Sequence, residues 1–123
     1  MAITPEKSPE CKKTIMAVHD AMYLLGGKWK ISITAALCFH PKRYSDLMRD
    51  VEGISGKMLS RELKEMELNK LVKRTVLDTQ PVTVQYALTE YGQKLKPVIE
   101  CLANWAQEHR EMIIAEMTAQ PVH

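Results

Sequence analysis

The chain has 123 residues, 46% apolar and 26% charged, which suits one folded domain and is too apolar for a disordered chain. No apolar run approaches the ~18 residues of a membrane span, and residues 1–13 lack the apolar stretch of a signal peptide. The net charge of +2 is unevenly spread: residues 27–74 carry eleven Lys plus Arg against six acids, whereas residues 75–123 carry three against six. A basic middle in a nearly neutral chain implies a surface that faces a polyanion.

Residues 1–10, with Pro5 and Pro9 and no helical period, read as a flexible arm, and residues 11–123 as a single domain. A first helix is predicted over 11–25. Ile15, Val18, Met22 and Leu25 form one apolar stripe, and Ala17, Ala21 and Leu24 a second. A helix apolar on two faces needs two partners, one of them a second subunit. Gly26-Gly27 ends it, and residues 28–38 read as a second helix, apolar nearly all round, at the centre of the domain.

The stretch 39–44 reads as a loop, with Ser45 as the N-cap of a short third helix through Val51. After the turn Glu52-Gly53-Ile54, Ser55 caps a fourth helix running to about Leu68. A short helix, a Gly-containing turn and a longer helix is the layout of a helix-turn-helix, whose second helix enters a DNA major groove. At about 100° per residue, Leu59, Leu63 and Met66 share one stripe, while Lys57, Arg61 and Lys64 cluster on the opposite side. Glu62 and Glu67 lie off that basic sector and Glu65 lies beside it. Such a face offers donors to phosphates and base edges.

From Lys70 the period changes from helical to alternating. Strands are predicted over 72–77 and 82–88, with a turn at 78–81, which makes a two-stranded wing. Thr89 is placed to cap a long last helix carrying Leu95, Val98, Leu102, Trp105, His109 and Met112 at spacings of three and four, with a kink or restart at Pro97. That stripe runs for more turns than so small a domain can cover, so part of it is expected to pair with another subunit. The fold class is therefore mainly α with a small β-hairpin: a winged helix-turn-helix with N- and C-terminal dimerisation helices.

Catalysis and metal binding find little support. His19 and Asp20 are adjacent and diverge on a helix, no nucleophile motif is present, and no Gly-rich phosphate loop follows a strand. Cys38 and His40 lack a second pair of ligands, so neither metal nor cofactor is expected. Three cysteines, odd in number and far apart, point to a reducing cytoplasm rather than a disulfide framework. Cys38 and Cys101, in apolar helices, read as small core residues.

The residues Leu24-Leu25-Gly26-Gly27-Lys28-Trp29, Arg43-Tyr44-Ser45-Asp46-Leu47 and Gly53-Ile54-Ser55-Gly56-Lys57-Met58-Leu59 resemble the HxlR-type family of bacterial winged-helix regulators. So do Leu63-Lys64-Glu65-Met66-Glu67, Leu71-Val72-Lys73-Arg74, Tyr86-Ala87-Leu88-Thr89-Glu90-Tyr91-Gly92 and Leu102-Ala103-Asn104-Trp105-Ala106, in the family's order. The resemblance implies a dimer built from the first and last helices, a roughly palindromic DNA operator, and repression or activation of a neighbouring gene. Cys11 stands where many such regulators carry a cysteine that senses oxidants or electrophiles. In a helix's first turn and beside Lys12 and Lys13, its thiol also favours the thiolate.

Two departures stand out. The wing has Pro81-Val82-Thr83 and Asp78 where the family often has two prolines and an Arg, which lightens its grip. The fourth helix ends in Asn69-Lys70 rather than Gly, with Asn69 expected to take the left-handed cap.

The expected function is sequence-specific DNA binding by a homodimeric regulator; the alternative is a winged helix that binds only proteins. Lys57, Ser60, Arg61 and Lys64 would meet bases and phosphates, with Ser55 at the helix start. Lys28, Arg43 and Ser45 would hold the backbone, and Thr79, Gln80 and Thr83 of the wing would add lighter contacts. Ala17, Ala21, Leu24, Leu102, Trp105, His109 and Met112 would form the dimer interface, whose seam is where any small-molecule effector would sit.

Overall fold

A computed structural model describes residues 9–119. Helix α1, Pro9–Leu25, includes Pro9 and Glu10, which the sequence assigns to the arm; a proline is tolerated near a helix start because its missing N–H has no partner there. The rest of the expected arm lies outside the described residues. Only Leu25 of α1 is buried, and Ile15, Val18 and Met22 stand exposed. Gly27, at a φ of +74°, turns the chain into α2, Gly27–Leu37. This helix buries Ile33, Thr34 and Leu37 against residues from α3, α4 and the sheet, as its nearly continuous apolar surface requires.

The predicted loop before the third helix contains a strand, β1, Lys42–Arg43. Two residues carry no readable period, and what defines β1 is its antiparallel pairing with β3, Thr83–Leu88, through Lys42↔Tyr86 and Arg43↔Gln85. β2, Val72–Leu77, pairs on the other side of β3 from Val72↔Leu88 to Leu77↔Thr83. The wing is thus part of a three-stranded sheet of order β1-β3-β2, and Val82, expected in a strand, lies exposed before it.

Helix α3, Tyr44–Asp50, begins one residue before the expected cap. The capping contact runs from the Arg43 amide to Asp46 Oδ2 at 3.2 Å, which leaves Ser45 exposed inside the first turn. Gly53, at φ +88°, forms the turn into α4, Gly56–Leu68. There the Met58 amide donates to Ser55 Oγ at 3.1 Å, the cap expected from sequence.

The other end of α4 corrects the Asn69 expectation. Lys70, not Asn69, takes the left-handed conformation, at φ +65°. The Leu71 amide reaches back to the Met66 carbonyl (2.9 Å) and the Lys70 amide to Glu67 (3.1 Å), a Schellman ending sealed by burial of both Met66 and Leu71.

Thr89 caps a 3₁₀ turn, Gly92–Leu95, rather than the long helix itself. Its hydroxyl accepts from the Gly92 amide (2.9 Å) and donates to the Lys70 carbonyl (2.6 Å). α5, Lys96–Ala119, restarts after that turn with Pro97 in its own first turn, as the proline predicts. None of its 24 residues is buried. Val98, Leu102, Trp105 and Met112 are therefore not core within the chain, and Cys101 is exposed rather than a small core residue. Cys38 does pack against the core, where burial pushes its thiol pKa up.

Candidate nucleic-acid interface

On α4, Leu59, Leu63 and Met66 are buried, while Lys57, Arg61 and Lys64 are exposed on the opposite side. Two of the three acids of this helix, Glu62 and Glu65, are drawn to its other flank by a residue that the sequence did not single out, while Glu67 lines a cleft beside Lys64. Lys30 of α2 reaches across with Nζ 2.5 Å from Glu62 Oε2 and 2.7 Å from Glu65 Oε2. Both Lys30 and Glu62 are about nine-tenths buried, their side chains 10% and 9% exposed. Burial alone would lower the Lys30 pKa, but the hydrogen bonds and charges of the two glutamates outweigh it and hold the ammonium above its ordinary value. In return, the Lys30 hydrogen bond holds Glu65 below the usual carboxylate range. A cation inside an otherwise apolar helix was the available signal, but its partners lie more than a helix away in sequence.

The two helices of the motif are locked at their starts. The Tyr44 hydroxyl donates to the Gly56 carbonyl at 2.7 Å and lies 3.1 Å from Ser60 Oγ, so Ser60 is engaged within the motif as well as exposed. Lys28 is exposed at the start of α2 with Nζ 4.5 Å from the Trp29 ring centroid, and that ring packs beside Gly53 in the turn. The structure thus brings Lys28 alongside the helix-turn-helix.

Arg43 is exposed on β1, next to Ser45. In α3, Arg49 pairs with Asp46 at 3.0 Å, and Lys42 pairs with Asp50, whose pKa falls through that hydrogen bond. At the wing tip the Thr79 and Thr83 hydroxyls lie 2.8 Å apart and both donate to the Pro81 carbonyl. They shape the turn, and Gln80 is exposed beside them. Arg74 of β2, absent from the predicted contacts, shares a cleft with Ser60, Lys64, Glu67 and Tyr86, and so adjoins the outer face of α4 where one acid also lies. Its cross-strand pairing with Tyr86 places it there.

Cys11 is half-buried in the first turn of α1. Ala17 and Ala21 are exposed and Leu24 is half-buried. A cavity of about 320 Å³ joins Ala21 and Leu24 to Leu71, Tyr91, Lys94 and Leu95. Leu102, Trp105 and Met112 stand along α5, with the His109 ring stacked on Trp105, their centroids 5.3 Å apart and planes within 4°. Among the described residues no group of His, Cys, Asp or Glu could hold a metal ion, and no helix is long and apolar enough to cross a membrane.

A helix-turn-helix with a cationic outer face, followed by a β-hairpin, defines the winged helix-turn-helix class of DNA-binding transcriptional regulators. More narrowly, the HxlR-like helix-turn-helix family matches residues 24–113, and the chain belongs to that family, whose members are regulators and not enzymes.

Among relatives, YtcD of Bacillus subtilis, an HTH-type transcriptional regulator, is 36% identical over 100 residues, 81% of this chain and 79% of its own length. YodB, an HTH-type transcriptional regulator of the same organism, is 39% identical over 94 residues, 76% of this chain and 84% of its own. Its reduced structure superposes with a TM-score of 0.65 at 37% identity, covering 82% of this chain and 92% of that one. The diamide-treated form gives 0.62. The redox regulator HypR in its oxidised form gives a TM-score of 0.71 at 30% identity, covering 75% of this chain and 95% of that one.

Proposed function

We propose that this regulator acts in the cytoplasm as a homodimer on a roughly palindromic duplex operator and thereby represses or activates a neighbouring gene. The observation that carries this reading is the outer face of α4, where Lys57, Arg61 and Lys64 project while Glu62 and Glu65 are held on the inner flank. In a dimer the two α4 helices would enter successive major grooves about 34 Å apart. Lys57, Ser60, Arg61 and Lys64 meet bases and phosphates, and the Ser55 helix start faces a phosphate. Lys28, Arg43 and Ser45 hold the backbone. Gln80, with Thr79 and Thr83 shaping the tip, makes the lighter contacts of the wing.

Dimerisation uses α1 and α5, because most of their apolar side chains lack cover among the described residues: Val18, Met22, Leu102, Trp105 and Met112 are all about half exposed or more. The operator test is Arg61→Ala. It should weaken binding by roughly 1–3 kcal/mol if Arg61 reads a guanine, and an unchanged gel-shift affinity would overturn the assignment.

A redox input through Cys11 is supported by its place in the first turn of α1 and by the relatives HypR, a redox regulator, and YodB, solved both reduced and diamide-treated. Cys11→Ser should abolish the response of DNA binding to diamide. A full response in that variant removes Cys11 from the reading.

A further inference from the structure

We infer that Lys30 is a positioning residue for DNA binding: by holding Glu62 and Glu65 on the inner flank of α4, it keeps a carboxylate away from Arg61 on the outer face. The inference rests on the proposed α4 interface and deepens it.

Arg61 and Glu65 are four residues apart on one helix, the spacing at which side chains meet, with Cβ atoms about 5–6 Å apart. Left to itself, this pair would form an intrahelical ion bridge and cover the guanidinium with its own counter-charge. Instead the Glu65 carboxylate, 48% exposed, is engaged by α2 at 2.7 Å from Lys30 Nζ, so that Arg61 feels its charge but makes no ion pair with it and stays exposed. Lys30 cannot itself meet a phosphate, since its side chain is 10% exposed and its ammonium lies between two carboxylates. Its charge acts on DNA only through what it withholds.

Duplex DNA binding measures this directly, because each cation available to phosphate adds about 0.9 to the slope of log K against log salt. Four proteins form a cycle: the parent, Glu65→Gln, Lys30→Met with Glu62→Gln, and that pair with Glu65→Gln added. Glu62→Gln accompanies Lys30→Met so that no carboxylate is left buried without its cation. The probe is a duplex recovered from a random DNA pool by the parent, titrated with salt.

In the parent, Glu65→Gln should change affinity by less than about twofold, since that carboxylate is already paired with Lys30. The Lys30→Met/Glu62→Gln protein should lose about three- to tenfold in affinity and about one unit of slope. Adding Glu65→Gln should return both. Matching circular dichroism and melting for those two proteins excludes a merely structural rescue.

The inference is overturned if the pair variant keeps the parent's affinity and slope, or if Glu65→Gln has the same effect in both backgrounds. Should the pair variant not fold, Lys30→Gln with Glu62→Gln takes its place in the cycle, with the same loss and the same return on adding Glu65→Gln expected. A parent that recovers no duplex defeats the interface itself, an outcome distinct from a parent that binds while the cycle closes additively.

Discussion

Tyr44 donates its hydroxyl to the carbonyl of Gly56, twelve residues along the chain, at 2.7 Å. This bond joins the first turn of α3 to the first turn of α4 and so helps set the angle between the two helices of the motif. The Tyr44 ring packs on the core, and Tyr44→Phe would keep that packing while leaving the Gly56 carbonyl without its partner. We expect a loss of about 0.5–1.5 kcal/mol, read as a lower urea midpoint at unchanged slope. An unmoved midpoint would show that water replaces the bond at no cost.

Lys70 sits at φ +65°, where a side chain crowds its own backbone. Glycine suits that conformation, although its looser unfolded chain offsets part of the gain. Lys70→Gly should therefore stabilise the protein by about 0.5–1 kcal/mol in urea unfolding, whereas Lys70→Ala should gain little. Equal stability of the two variants would contradict the left-handed cap.

How far the sequence reached depended on whether a feature is local. Ser55 and the Leu59, Leu63, Met66 stripe were legible because a cap and a helical period lie within one element. β1 was not, since Lys42 and Arg43 become a strand only by pairing with Gln85 and Tyr86. The left-handed residue was misplaced by one position: Asn69 has the better intrinsic tolerance, but burying Leu71 against Met66 fixes the register and puts Lys70 there. Lys30 belongs to the same class, its role set by two glutamates on another helix. The stripe on α5 was legible as apolar, yet nothing in its period says which chain covers it.

The Lys30 cluster predicts a pH response at both ends of the scale. Glu65 has a folded pKa below its ordinary 4.5, so its contribution is present above that value and is lost as pH falls through the lower folded one. Asp50, held down by Lys42, behaves alike below its ordinary 3.8. Lys30 is raised above 10.5, so its contribution persists at lower pH and disappears as pH rises through the folded value. Urea unfolding across acid pH should show a shallower acid limb for Glu65→Gln than for the parent. Parallel limbs would mean that the ion pair adds nothing to folding.

The proposed dimer makes Trp105 a natural probe, because it is 66% exposed on α5 and supports no packing in its own core. Trp105→Glu should raise the dimer dissociation constant at least about tenfold in sedimentation while leaving the helical circular dichroism of the concentrated protein intact. A variant that remains fully dimeric would move the interface elsewhere.

A helix of 24 residues that buries none of them fully against its own chain also bears on how such a regulator would be metered. In a cell where the protein is scarce and mostly monomeric, the abundance of assembled pairs grows as the square of total protein, so operator occupancy would respond more steeply than proportionally to expression. The long uncovered helix would thereby turn small changes in gene dosage into a sharper transcriptional threshold.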